Sequence, residues 1–241
     1  YSIWLATVVV SGISYLSYLL KRYVFHESGT LVSGIIGGLY SSTATISVLA
    51  RKSRKASEQE ATDYVAAMLL AVSMMFLRFM ILILIFSREI FLSIYPYLLT
   101  MAVVAAIVAW FIHSRQKRPE DQPAETEEDD SSNPLEFKVA LIFAVLFVIF
   151  TFLTHYTLVY AGTGGLNLLS FVSGFSDITP FILNLLQNTG SVAALIITAC
   201  SMQAIISNIM VNMFYALFFA GKGSKLRPWI LGGFGVVIAC N

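Results

Sequence analysis

Long apolar runs alternate with short polar breaks along the chain, at roughly 2–20, 31–50, 62–87, 90–112, 135–160, 166–187, 191–220 and a shorter run at 228–240. A helix crossing about 30 Å of hydrocarbon needs about 20 mostly apolar residues. The pattern therefore predicts an all-α fold, a polytopic transmembrane helical bundle of about eight spans. Between the fourth and fifth runs the periodicity stops. Residues 114–133 hold Pro119, Pro123 and an acidic block, the composition of a solvated, disordered linker. That linker divides the chain into a first membrane half, 1–113, and a second, 134–241.

Composition sharpens the class. Of the 241 residues 57% are hydrophobic and 12% charged, with a mean hydropathy of +0.78. A soluble domain carries roughly 25% charged residues, so an ordinary water-facing globule and a nucleic-acid binder are both excluded. Seven of the 14 acids lie between Glu120 and Asp130, which leaves the spans nearly uncharged. The net charge of +1 implies no acidic partner. Cys200 and Cys240 sit in apolar surroundings without a CxxC or His-paired spacing, as small buried hydrophobes do. The chain opens on Tyr1, inside an apolar run, which suggests a longer natural N-terminus.

Orientation follows from lysine and arginine at the span ends. If all eight runs cross, eight basic residues fall on one side and six on the other. The compact Arg51–Lys55 cluster makes the richer side cytoplasmic, together with the linker and both termini.

The two halves resemble each other. An offset of 136 residues lays Tyr15–Ala50 on Thr151–Leu186 without a gap, matching Gly29 with Gly165, Gly38 with Gly174 and Thr43 with Thr179. The residues least suited to a lipid-facing helix fall at the same place in each copy. The first holds Gly38-Leu-Tyr-Ser-Ser-Thr-Ala-Thr-Ile46, rich in glycine and hydroxyls, and the second Gly174-Phe-Ser-Asp-Ile-Thr-Pro-Phe-Ile182. Glycine costs nearly 1 kcal/mol against alanine inside a helix, and Pro180 pushes Thr179 out of helical geometry. Broken helices are expected in spans two and six, near 38–43 and 175–179, with a half-helix starting at Pro180. Parallel and inverted repeats are both compatible with the pattern.

Broken helices at membrane depth are tolerated where they line a polar cavity, and transporters aim their ends at a solute near the midplane. Asp177 would stand there in an otherwise uncharged span, at a cost of at least about 2.5–3.5 kcal/mol unless partnered. With Ser41, Ser42, Thr43, Thr45, Ser176 and Thr179 it would present oxygens suited to a hard cation, and Asp177 is the candidate metal ligand. Supporting polar groups are Arg78, Asn184, Asn208 and Asn212. Arg78 either snorkels to the interface or pairs with Asp177. The bland alternative is close helix packing, because Ser33, Gly34, Gly37 and Gly38 form small-xxx-small spacings. No nucleophile–base pair, fixed metal-ligand spacing or phosphate-cradling glycine motif occurs, so no enzymatic activity and no cofactor beyond a bound inorganic cation is expected.

Gly38-Leu-Tyr-Ser-Ser-Thr-Ala-Thr followed by Ala50-Arg-Lys-Ser-Arg54 resembles the signature of the C-terminal membrane domain of MgtC/SapB-type bacterial membrane proteins. Asn133-Pro-Leu with Ala140–Phe143 is similar to the opening of that domain's second half, and Ser173–Asp177 to its later acidic motif. Thr179 stands where a second acid is expected, and Asn212 where a basic residue is expected. The resemblance implies the bacterial inner membrane and a link to magnesium or other ion transport, and that an N-terminal group of spans precedes this segment. The expected partners are the lipid bilayer, a small inorganic ion and a second copy in a homodimer, with no nucleic acid. Together these readings predict a channel or secondary transporter with a midplane site between two broken helices; the alternative is a non-transporting regulatory or scaffold protein that binds another membrane protein.

Overall fold

The computed structural model describes residues 8–10, 12, 15, 29–54, 56, 58–114, 137–187, 192–220 and 226–240. Residues 115–136, which include nearly all of the expected linker at 114–133, and nearly all of the first apolar run lie outside the described residues. The described chain is helical throughout, without a strand. Its elements are α1 (Thr30–Lys52), α2 (Glu58–Phe86), α3 (Arg88–Ser114), α4 (Phe137–Ser173), α5 (Ile178–Gln187), α6 (Ala194–Ala220) and α7 (Arg227–Ala239).

Five stretches are long and apolar enough to cross a membrane: Thr30–Lys52, Glu60–Phe86, Arg88–Ser114, Val145–Gly162 and Ala194–Ala220. Of the eight expected spans the first lies almost wholly outside the described residues, and five of the other seven are of spanning length. Expected span six is instead two short helices, Gly164–Ser173 and Ile178–Gln187, and the last run forms only the 13-residue α7. Hydropathy did not register the short length of the last helix, because an apolar window does not show where a helix stops.

The described residues form two compact units. One comprises Phe79–Pro96 with α4, α5 and α6 up to Val211. The other comprises α1, α2 up to Arg78, α3 from Tyr97, the end of α6 from Asn212, and α7. In the second unit α2 is the central element. Val65–Leu69 are all fully buried, as expected of a helix apolar on every side. The Ser73 hydroxyl donates to the Ala102 carbonyl at 2.8 Å and ties α2 to α3. α7 closes against the same helices, with Gly233 facing Leu69 and Ile112. Trp110, Phe214 and Leu231 remain at least half exposed. Such apolar surface is tolerable in lipid and a liability in water.

In the first unit α4 bends sharply at Gly162, which adopts φ 57° and ψ −147°. This is a region that side chains with a Cβ strongly avoid. Beyond the bend, Gly165 faces Ala161 and Thr157. α5 then packs along α4, where Phe150 and Phe181 meet at 5.5 Å between ring centroids. The Asn184 amide donates to Thr151 Oγ1 at 2.7 Å.

Candidate functional site

The candidate residues fall into two clusters, one in each unit. The first surrounds Ser41. Within α1 this residue alone departs from helical geometry, with φ −157° and ψ 109°. An extended residue inside a helix ends one hydrogen-bonded ladder and starts another. That leaves carbonyls before it and N–H groups after it without intrahelical partners. Both sets are addressed by side chains. Ser41 Oγ accepts from the Ala44 N–H at 3.3 Å, an N-cap on the segment that follows. The Arg78 Nη1 donates to the Tyr40 carbonyl at 2.7 Å, on the segment that precedes. A cation is favourable there, because the C-terminal end of a helix carries partial negative charge. The guanidinium is thus tied to the backbone of α1.

Ser42 is buried beside this break, while Thr43 and Thr45 are half-buried. The Thr43 carbonyl accepts from the Ser47 hydroxyl at 2.8 Å. Thr45 touches Gly37, and Gly34 and Gly38 press against the backbone of α2 at Ala67 and Ala71. A Cβ at Gly38 would come within 2.5 Å of the Ala71 Cα. The small residues of this motif are thus used inside the chain, as backbone contacts.

The second cluster surrounds Asp177. The chain leaves helical geometry after Ser173 and resumes at Ile178. Asp177 Oδ1 accepts from the Thr179 N–H at 2.9 Å, so the carboxylate caps the start of α5 and answers its partial positive charge. The helix begins two residues before the expected start at Pro180, and Thr179, expected outside helical geometry, lies within it. Pro180 is accommodated because the first turn has no intrahelical use for its N–H. Asp177 itself is exposed, not sunk in the protein interior, and Ser176 is exposed beside it. Thr179 and Asn184 are buried.

Carbonyls on the preceding side of this break are served from α6. The Ser207 hydroxyl donates to the Phe171 carbonyl at 2.7 Å, and the Asn208 amide to the Gly174 carbonyl at 3.1 Å. Gly174 lies directly against Ser207. Asn208 is thereby a backbone-satisfying residue, and Asn212 is fully buried in the other unit. Ser207, Thr151 and the Gly162 bend were not singled out by sequence reasoning. Only the glycine-dense Ala161-Gly-Thr-Gly-Gly165 run could have flagged the bend.

Among the described residues no group of three or more His, Cys, Asp or Glu side chains could hold a metal ion. Any cation here would rest on hydroxyls, carbonyls and one carboxylate. His113 Nδ1 and Asp63 Oδ1 meet at 2.7 Å, joining the end of α3 to the beginning of α2, with roughly a third of each side chain exposed.

The apolar helices and the lipid-compatible surface define a multi-pass α-helical membrane protein. Residues 8–220 match the family described as domain of unknown function (DUF4010), and the chain belongs to that family. It is also similar to an uncharacterized protein of Aquifex aeolicus (strain VF5), 24% identical over 208 residues, covering 84% of this chain and 87% of the relative. No solved structure matches the chain.

Proposed function

We propose that the protein is a channel or secondary transporter for a small inorganic ion, with a cation favoured, in the bacterial inner membrane. One observation carries this reading. Ser41 and Asp177, 136 residues apart, each cap a helix that starts afresh inside an apolar segment. Starting a helix in hydrocarbon exposes backbone groups that lipid cannot satisfy, and membrane proteins retain such starts where polar atoms face a solute. The same offset relates Gly38 on Ala71 to Gly174 on Ser207, which supports two related halves with matched broken helices.

In each unit the solute would meet oxygens: Ser41, Ser42, Thr43 and Thr45 in one, Ser176, Asp177 and Thr179 in the other. Hydroxyl and carboxylate oxygens suit a hard cation, and Asp177 supplies the charge. Arg78 and Asn208 hold the backbone around these groups, and Asn184 ties α5 to the Thr151 hydroxyl of α4. The resemblance of the Gly38–Thr45 segment to the MgtC/SapB-type membrane domain agrees with ion transport. The homodimer belongs to the same proposal, through faces other than Gly34 and Gly38.

The test is ion flux in liposomes with purified protein, comparing monovalent cations, magnesium and chloride. The reading expects cation flux that falls at least about tenfold in Asp177→Asn and measurably in Ser42→Ala. Flux indistinguishable from empty liposomes for every ion would overturn it. The close backbone contacts of Gly34 and Gly38 favour the alternative, a scaffold protein whose small residues serve packing alone. That alternative expects no flux.

A further inference from the structure

We propose that Thr30–Lys52 and Gly164–Gln187 are re-entrant hairpins, each leaving the membrane on the side from which it entered. The two halves would then cross the membrane with inverted topology.

The direction of packing carries this inference. In the unit containing α1, contact partners rise together along both segments. Thr30 hydrogen-bonds Tyr64, Gly34 meets Ala67, Gly38 meets Ala71, and the Tyr40 carbonyl meets Arg78. Residues 30–40 therefore run parallel to α2. Yet α2 starts at Glu58, only six positions beyond the end of α1 at Lys52. Two helices joined so closely can run parallel only if the chain travels back between them, and 42–52 is the stretch available. The contact between Gly37 and Thr45 agrees. Residues eight apart in a straight helix are separated by about 12 Å, so contact requires a reversal at Ser41.

The other unit repeats the geometry. Asn167 meets Cys200, the Phe171 carbonyl meets Ser207, and the Gly174 carbonyl meets Asn208. Residues 164–173 run parallel to α6, which begins at Ala194, seven positions after α5 ends. α5 is the return leg, lying along α4 through Phe150 and Thr151. The length of α1 had made it a candidate crossing, but its two legs are each only about half a span.

Two independent observations agree. The Arg51 guanidinium lies over the Phe219 ring at 4.4 Å from its centroid. If every apolar run crossed, these residues would end spans on opposite faces, about 30 Å apart. With hairpins they end on the same face. Charge gives the second. The hairpin topology places segments 21–29, 51–57, 113–138 and 221–227 on one side. These hold 13 of the 15 Lys and Arg residues, leaving only Arg88 opposite and Arg78 within the membrane. Eight crossings divide the same residues eight to six. The positive-inside rule strongly favours the first distribution and makes that side cytoplasmic. The topology does not depend on whether an ion passes.

The test is single-cysteine labelling in the full chain, in a Cys200→Ala, Cys240→Ala background. An impermeant maleimide is applied to spheroplasts and again after detergent. Ser131→Cys and Ser87→Cys mark the two sides. We expect Ser28→Cys and Ser224→Cys to be protected with Ser131→Cys until detergent is added. Thr189→Cys should react from outside with Ser87→Cys. Thr189→Cys protected with Ser131→Cys, or Ser28→Cys or Ser224→Cys reacting from outside, would overturn the proposal.

Discussion

The Arg78 guanidinium donates to the Tyr40 carbonyl at 2.7 Å, across 38 positions of sequence and directly before the break at Ser41. A charge is thereby held inside an apolar helix by backbone that the break itself sets free. A hydrogen bond from a charged donor is worth about 1.5–3 kcal/mol, and relief from burying the cation would return part of that in a neutral variant. Arg78→Met is therefore expected to lose about 1–2 kcal/mol, or several degrees of melting temperature in detergent, whereas Arg78→Lys keeps a donor and loses less. Equal melting of Arg78→Met and the parent protein would show that the carbonyl needs no cation.

The close backbone approaches make a second prediction. Gly38→Ala would drive a methyl group into the Ala71 backbone, and Gly174→Ala into Ser207. Overpacking of this kind costs about 1–3 kcal/mol. Gly232 lies inside α7, where an added methyl group would meet nothing within 4 Å. Gly232→Ala should therefore be neutral or stabilising by up to about 1 kcal/mol. Thermal melts of the three variants side by side check the contrast.

Cap and charge can be separated at Asp177. Asparagine caps a helix about as well as aspartate, whereas alanine loses about 1 kcal/mol. Asp177→Asn is expected to keep stability while losing flux, and Asp177→Ala to lose both. Ser41→Ala should lose about 1 kcal/mol in the same way. Stability assays paired with flux assays on one preparation read both quantities.

The His113–Asp63 pair looks important by distance and is not expected to be so energetically. Each side chain is about a third exposed, and such pairs contribute at most about 1 kcal/mol, less in salt. Asp63→Asn should shift melting by no more than a few degrees at low ionic strength, and by less in molar salt.

The helical membrane class was legible because hydropathy over some 20 residues reports it directly. The polar segments around Gly38 and Gly174 were legible too, since glycine, hydroxyls and a lone acid stand out in an apolar run. What hydropathy cannot carry is direction. A 23-residue apolar segment reads alike whether it crosses or turns back at Ser41, and the rising series of contacts from Gly34 with Ala67 to Tyr40 with Arg78, with the Gly37–Thr45 contact, distinguishes the two. The role of Arg78 was hidden for a related reason. Its partner is a backbone carbonyl, which exists at every position and becomes available only where a helix is interrupted. Asp177 misled by its surroundings. Its apolar neighbours implied deep burial, whereas the interruption brings it to the start of α5 and leaves it exposed.

The most direct measurement is a high-resolution density map of the protein in lipid nanodiscs with a heavy monovalent cation such as thallium. The account predicts ordered water or cation density against the Asp177 carboxylate, with water reaching the Ser41–Thr43 hydroxyls. Acyl chains or dry side-chain packing filling both places would contradict it.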